Sequence, residues 1–350
     1  MPDKAAAGRF FEDFRLGQRL AHATPRTLGA GDASLYGALF GTRFAVQSAE
    51  TFAQGIGYPR SPIDDLLAFH VVFGKSVADV SLNAIANLGY ADCRFRQAVY
   101  PGDTLSAASE VIGLKENSNR QSGVVYVRTK GANQRAQCVV EFVRWAMVRK
   151  RDAGAPAPEA FVPDLPDHVP AAALGAACPP LNAAAYDLAL AGSPHRWGDY
   201  APGERIDHID GVTVEEAEHQ IAARLFQNPA KVHFNQFSEG QGRFGRRLVY
   251  GGHVISLARA LSFNGLANAF HVAGINSGRH VAPLFAGDTV FAWSEVLERA
   301  ELPGRDDVGA LRLRTVATKN MPCSAFPRRE GEGYQANVVL ELDYWVLTPQ

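Results

Sequence analysis

A chain of 350 residues with 47% apolar composition is long enough for two ordinary cores rather than one. Its net charge of −1 disfavours nucleic acid or an anionic membrane surface as a partner. No stretch approaches the ~20 apolar residues of a membrane span, and the opening MPDKAAAGRFFEDF carries no apolar signal core. Cys93, Cys138, Cys178 and Cys323 stand singly, as reduced cytoplasmic thiols do, and no CxxC pair points to zinc.

Taken in order, the chain predicts a short polar-edged strand leading into a turn at Leu16-Gly17-Gln18, then a helix started by Asp32-Ala33-Ser34. A long apolar helix follows over Ile63–Val80, with Asp64, Asp65 and His70 near its start. Four strands come next: CRFRQAVY (93–100), TLSAASEVIGLKE (104–116), SGVVYVRTKG (122–131) and AQCVVEFVRWAMV (136–148). From Arg151 to Pro194 the chain turns rich in Pro and Ala, a joining segment expected to wrap over the first copy through Phe161, Val162 and Leu165.

Beyond the join the order repeats. FEDFRLGQRL (11–20) returns as WGDYAPGERI (197–206), and GYADCRFRQAVYPGDTLSAASEVI (89–112) as GINSGRHVAPLFAGDTVFAWSEVL (274–297). The offset is 186 residues at Gly17/Gly203, 185 at Asp103/Asp288 and 200 at Trp145/Trp345. In the second copy Thr213 is the expected N-cap of a helix, with Glu216 completing a capping box. The second long helix spans Gly251–Leu266, and its VISLARALSF is apolar around much of its circumference, so it is to be enclosed. In the last strand Val338, Leu340, Leu342, Tyr344 and Val346 share one face. The reading is α+β: a tandem (double) hot-dog, each copy a central helix wrapped by a curved antiparallel sheet, with the two sheets joined edge to edge. The copies are 1–150 and 195–350, with 151–194 between them.

Two segments of the second copy carry a likeness to a known family. Gln227-Asn228-Pro229-Ala230-Lys231-Val232-His233 and Arg247-Leu248-Val249-Tyr250-Gly251-Gly252-His253 resemble the signature turn and helix start of the MaoC-like R-specific enoyl-CoA hydratases. Pro101-Gly102-Asp103-Thr104-Leu105 and Ala286-Gly287-Asp288-Thr289-Val290 are further features of that kind. More narrowly, GRFFEDFRLG (8–17), LLAFHVVFGKSV (66–77), SLNAIANLGYA (81–91) and VIGLKENSN (111–119) look like the mesaconyl-CoA hydratases, also called β-methylmalyl-CoA dehydratases. The resemblance implies reversible addition of water to a branched C5 dicarboxylic acyl-CoA. No cofactor is then expected, since CoA is part of the substrate, and paired hot-dogs commonly associate, so a homo-oligomer is expected.

By that resemblance His233 is the acid/base. The family has an Asp five residues before the His, where this chain has Asn228, which can hold water by its carbonyl oxygen but cannot take a proton. The other reading of His233 is a core-edge histidine capping a turn. Gly251, at the start of the second central helix, offers an N–H to a thioester oxygen as the enolate forms; alternatively it serves helix–sheet packing, as Gly252 does. Tyr250 falls at the family's His of His-Gly.

In copy one the corresponding stretch is Gly41-Thr42-Arg43-Phe44-Ala45-Val46-Gln47, with Thr for Asp and Gln for His. One working site per chain follows, with copy one as the acyl-binding wall. There Asp65 and His70 either touch substrate or, with Asp64, complement the helix dipole. A free carboxylate on the substrate needs a cation, and Arg43, Arg60, Arg243, Arg246 and Arg247 lie near the motif segments; Arg243 and Arg247 are the candidates chosen, against the reading of each as a solvated surface charge.

Gly240-Gln241-Gly242-Arg243-Phe244-Gly245 spells GxGxxG, but it follows FNQFSE rather than a buried strand and is read as a loop. His22, His208, His219, His271 and His280 show no paired ligand spacing, so no metal site is expected. The alternatives to this hydratase are a general R-specific enoyl-CoA hydratase, a hot-dog acyl-CoA thioesterase, and a non-catalytic acyl-CoA binder.

Overall fold

The long apolar segment at residues 65–80 is a helix held against a sheet on its outer side and against the second copy on the other. The computed structural model describes residues 4–5 and 8–350. Copy one runs β1 (Arg19–Thr27), α1 (Ala30–Phe40), α2 (Ala45–Ser48), α3 (Glu50–Gly55), α4 (Asp65–Val80), β2 (Ala84–Phe95), β3 (Thr104–Glu116), β4 (Ser122–Ala132) and β5 (Cys138–Arg149). After the join come α5 (Leu188–Ala191), β6 (Arg205–Thr213), α6 (Glu216–Leu225), α7 (Gln236–Glu239), α8 (Gly251–Leu261), α9 (Phe263–Leu266), β7 (His271–His280), β8 (Thr289–Glu301) and β9 (Val308–Lys319). A small hairpin, β10 (Arg329–Glu330) and β11 (Gly333–Tyr334), precedes the last strand β12 (Val338–Pro349).

Ten strands form one sheet in the order β1-β3-β4-β5-β2-β7-β12-β9-β8-β6, which reads alike from either edge. The seam is the antiparallel pair β2–β7, with Tyr90 opposite Gly278 and Arg94 opposite Gly274. The edges that β2 and β7 would leave open in lone copies are thereby closed against each other, while β1 and β6 stay as the outer edges. Helix α4 lies on β1, β3, β4 and β5, and α8 on β6, β8, β9 and β12. The architecture is the α+β double hot-dog.

Local chemistry explains the helix bounds. Asp64 caps α4, its Oδ1 accepting the Leu66 N–H at 2.9 Å. Gly74 in mid-helix costs about 1 kcal/mol against Ala, yet a Cβ there would stand 1.8 Å from the Phe226 carbonyl oxygen. The glycine lets α4 lie directly on the chain that follows α6.

Three local expectations need correction. The Leu16–Gly17 turn precedes β1 rather than ending a strand. Thr213 is not a helix cap: it is the last residue of β6, its hydroxyl bonded to Thr289 at 2.8 Å, and α6 begins at Glu216 with Glu215 as its cap. The strand expected over 93–100 starts earlier, at Ala84, and stops at Phe95, since Arg96 and Gln97 leave the ladder for the Val139 carbonyl.

The joining segment first crosses copy one, where Phe161 and Leu114 exchange backbone bonds at 2.8 Å while the Phe161 ring stays half exposed. It then passes to the outer face of the other copy. There Val169, Leu174, Cys178 and Tyr186 pack with Phe270, Trp345 and Leu347.

Both copies bury the same polar relay. His22 bonds Ser109 at 2.7 Å, and Ser109 bonds Thr129 at 2.8 Å. His208 bonds Ser294 at 2.8 Å, and Ser294 bonds Thr315 at 2.7 Å. A device present in both copies ties β1 to β3 and β6 to β8, and it is structural.

Two predictions follow from this packing. Gly74→Ala drives a methyl into a backbone carbonyl, so a loss of about 1–3 kcal/mol is expected in denaturant unfolding; an unchanged midpoint would mean α4 does not rest on Phe226. Burial also pushes several histidines down, His70 and His253 to about 3 and His208, His233 and His280 to about 4. Unfolded, each takes a proton near 6.5. Stability is therefore full above pH about 6.5 and is lost as pH falls toward 4. Melting temperatures should drop at each step from pH 6.5 to 5, and a level profile would contradict this.

Candidate active site

The turn after α6 is set by its own polar groups. Gln227 takes a left-handed conformation (φ 51°), and the Asn228 N–H returns to the Ala223 carbonyl at 3.0 Å. The Asn228 Oδ1 then accepts the Ala230 N–H at 3.0 Å, a local Asx bond that folds Pro229 outward and starts the single helical turn Lys231–His233. The carbonyl oxygen expected to face water is thus shared with the backbone.

His233 is buried, with its Nδ1 2.9 Å from the Leu248 carbonyl. A carbonyl can only accept, so Nδ1 carries the hydrogen and Nε2 presents a lone pair. Burial holds the imidazole neutral, its pKa down near 4, with the Leu248 bond acting the other way. No carboxylate among the described residues bonds to it.

Leu248 leads straight to the second central helix. Tyr250 is the residue before α8, and its ring lies 5.3 Å from His233, 5.8 Å from Phe73, 5.8 Å from Phe226 and 5.9 Å from His70. Its hydroxyl is buried without a hydrogen-bond partner, and burial pushes its pKa well up, so the phenol keeps its proton. Gly251 is the first residue of α8, where an N–H has no intrahelical acceptor. A Cβ on Gly251 would meet His280 Nε2 at 2.4 Å, and one on Gly252 would meet His70 Nδ1 at 2.7 Å. Both glycines are positions of close approach.

His70 is fully buried, its Nε2 3.1 Å from Ser256 Oγ and its Nδ1 without a partner. It faces the α8 start. Asp65 does not: its Oδ2 accepts the Val272 N–H at 3.0 Å and lies 2.8 Å from His271 Nδ1, tying α4 to β7. Asp64 is spent on the α4 cap, with burial pushing its carboxyl up to about 6.

The arginines are dispersed. Arg247 pairs with Glu216 and Gln220 beside the turn. Arg243 is exposed, over the Phe244 ring at 5.1 Å. Arg246 stacks on Phe285 at 4.0 Å, Arg43 on Phe263 at 4.6 Å and Arg60 on Tyr100 at 5.5 Å. The GxGxxG segment is a loop after the short helix α7. Among the described residues no three His, Cys, Asp or Glu side chains are grouped to hold a metal, and no helix is long and apolar enough to cross a membrane.

Several residues at this place escaped the sequence reading. His280 lies against Gly251, and Tyr90 Oη stands 3.5 Å from its Nε2. The repeat held the signal, since His280 stands where copy one has Phe95 at the 185-residue offset. Lys75, Gly74, Gln227 and Pro229 also line a cavity of about 270 Å³ behind the turn, with Lys75 Nζ donating to Gln227 Oε1 at 2.8 Å. A larger hollow of about 570 Å³ lies at the β8–β9 hairpin among residues 301–306, away from all these groups.

What converges is a neutral imidazole with a free lone pair, a helix N-terminal N–H, and walls of aromatic rings. Such a set can move a proton beside a polarised carbonyl in a dry pocket.

Comparison with known proteins agrees. The family described as mesaconyl-CoA hydratase matches residues 2–172. A β-methylmalyl-CoA dehydratase of Chloroflexus aurantiacus is 61% identical over 351 residues, covering 100% of this chain and 99% of that protein. A mesaconyl-CoA hydratase of Cereibacter sphaeroides is 58% identical, covering 99% and 100% respectively. Among solved structures, a putative MaoC domain protein dehydratase from Chloroflexus aurantiacus superposes with a TM-score of 0.97 at 61% identity, over 99% of each chain. A double-hotdog protein from Mycobacterium tuberculosis gives a TM-score of 0.73 at 26% identity, over 97% of this chain and 98% of that one. Likeness of this extent, over both copies and the join, makes the chain a member of the mesaconyl-CoA hydratase family.

Proposed function

We propose that this protein is a hydro-lyase that reversibly hydrates mesaconyl-CoA to β-methylmalyl-CoA, with one working site in the second copy. The observation that carries the reading is the union of His233 and Gly251 through Tyr250: a lone pair and a free N–H at one aromatic-walled place. The end-to-end likeness to two proteins named for this reaction supports the substrate.

The mechanism uses one base. His233 Nε2 takes a proton from water as its oxygen bonds to the β-carbon. The C=C electron pair moves to the α-carbon and thioester, giving an enolate whose oxygen rests on the Gly251 N–H. The imidazolium, its Nδ1–H still on the Leu248 carbonyl, returns the proton to the α-carbon on the same face. Atoms and charge balance, and water adds syn. Asn228 keeps the turn in place and offers polar surface to the water. CoA enters as part of the substrate, so the step calls for no separate cofactor.

Loss of the unsaturated thioester absorbance is the measurement. His233→Ala should lower kcat by about 10²–10⁴-fold, and Gly251→Ala, whose methyl collides with His280, by about 10²-fold with the fold intact. Because His233 is held neutral down to about 4, kcat/KM should not fall through base protonation between pH 8 and 5.5. An acid limb centred near 6.5 would remove His233 from the role. Equal turnover of crotonyl-CoA would make the protein a general R-specific hydratase, and free thiol without hydration would make it a thioesterase.

A further inference from the structure

The hydratase reading leaves the substrate's free carboxylate without a partner, since the arginines beside the motifs stack on Phe244 and Phe285 or pair with Glu216. Among the described residues two arginines are buried: Arg259 on α8 donates to Ser262 Oγ and the Ala269 carbonyl and feels the carboxylates of Asp64 and Asp65, whereas Arg144 has no such charge beside it. Arg144, on β5 between Phe142 and Ala146, is 0% exposed. Its guanidinium lies 4.4 Å from the Phe73 ring centroid and bonds only neutral oxygens: Ser76 Oγ at 2.8 Å, Ser81 Oγ at 3.2 Å and Asn87 Oδ1 at 3.4 Å. Among the described residues no carboxylate pairs with it. Burial draws its pKa down to about 10, so it is still a cation at neutral pH. A buried cation without a counter-ion is costly and is ordinarily matched by an anion.

Around it other donors are unspent. Arg144 Nε, Asn87 Nδ2 and Tyr250 Oη are all buried without hydrogen-bond partners. The neighbourhood leads to the proposed oxyanion site: Phe73 is 5.8 Å from Tyr250 and 5.9 Å from Tyr90, Tyr90 reaches His280, and His280 lies on Gly251. Arg144 acts electrostatically on both Tyr90 and Tyr250. The repeat adds an independent argument. In copy two the residue before Trp345 is Tyr344, whose hydroxyl accepts from Thr315 at 3.1 Å, so the cation at this strand position belongs to copy one alone.

Resting on the hydratase reading, we propose that Arg144 binds the free carboxylate of the dicarboxylic acyl group, with Tyr250 and Asn87 as further donors, and so selects a dicarboxylic over a neutral enoyl-CoA. An acyl group whose thioester oxygen sits on the Gly251 N–H points its far end along the Tyr90–Tyr250–Phe73 wall. The carboxylate meets the unbonded Nε–H of Arg144 beside the Tyr250 hydroxyl and the Asn87 amide, while Nη1 and Nη2 stay on Ser76, Ser81 and Asn87 and hold the guanidinium in place. Copy one thus supplies the specificity and copy two the chemistry.

The rival role for Arg144 is to complement the C-terminal end of α4, where Ser81 is the cap. The test compares kcat/KM for mesaconyl-CoA with that for (E)-2-methylbut-2-enoyl-CoA, in which a methyl replaces the carboxylate, in wild type, Arg144→Met and Arg144→Lys. Inhibition by succinyl-CoA against butyryl-CoA gives the same ratio without turnover. Expected is a fall of about 10- to 100-fold in the preference for the charged member of each pair in Arg144→Met, with Arg144→Lys between. Equal losses for both members, tracking a lowered Tm, would make Arg144 structural and overturn the proposal. Should Arg144→Met fail to fold, Tyr250→Phe and Asn87→Ala each remove one donor and must still lower the preference; unchanged ratios in both would also overturn it. If wild type hydrates neither thioester, the hydratase reading itself falls.

Discussion

Everything at this site depends on how closely the two copies approach at two glycines. Gly74 lets α4 lie on the Phe226 carbonyl, and Gly252 lets the His70 ring lie on the start of α8. His70 and Ser256, each the sixth residue of its central helix, meet at 3.1 Å where the copies face each other. In the same region His233 and His253 are buried and His280 is half-buried, and burial is the largest cause of their lowered pKa values. The same burial strengthens a backbone N–H as an oxyanion donor, because little competes with it. On the proposed roles of His233 and Gly251, burial at the meeting of the copies thus bears on both the protonation state of the base and the strength of the donor.

Duplication sorts structure from chemistry. The His–Ser–Thr relays occur in both copies, as do the turns in which Asp103 and Asp288 accept the N–H of Tyr100 at 2.9 Å and of Phe285 at 3.0 Å. These hold the hot-dog. The copies part at the first residue of the central helix, Asp65 against Gly251. They part also at Gln47 against His233, Phe95 against His280 and Arg144 against Tyr344. Asp65 would set a carboxylate where copy two offers a bare N–H, so copy one cannot hold an oxyanion at its own helix start. It instead turns that carboxylate to Val272 and His271 and becomes a brace between copies.

How much was legible in the sequence follows from the range of the interactions. Alternation and the repeat spacing act over a few residues or over a whole copy, so the tandem hot-dog, the last strand and the strand at 104–116 could be read directly. Thr213 misled because a β-branched hydroxyl suits a strand end as well as a cap, and its partner Thr289 is 76 residues away. The motif segments around His233 and Gly251 could be picked out as motifs. Their meeting could not, since it runs through the Leu248 carbonyl and the Tyr250 ring. Arg144 was invisible for a plainer reason. A single arginine in an apolar strand pattern looks like an outward-facing charge, and only burial tells otherwise.

The exchange of Asn228 for the family's Asp has a physical logic once the substrate is taken to be dianionic at its working end. A carboxylate at residue 228 would sit in the same dry pocket as a developing enolate and a substrate carboxylate. Each added negative charge there raises the cost of the others steeply, because little solvent screens them. Asn keeps the turn-forming bond to Ala230 without adding charge. On the proposed roles, a neutral His233, a neutral Asn228 and the cation of Arg144, which no carboxylate pairs among the described residues, leave room for a single carboxylate to be paired and a single enolate to be stabilised. Restoring Asp at 228 would add a base but also a repulsive neighbour. On this account the substitution tunes the pocket to an anionic acyl group.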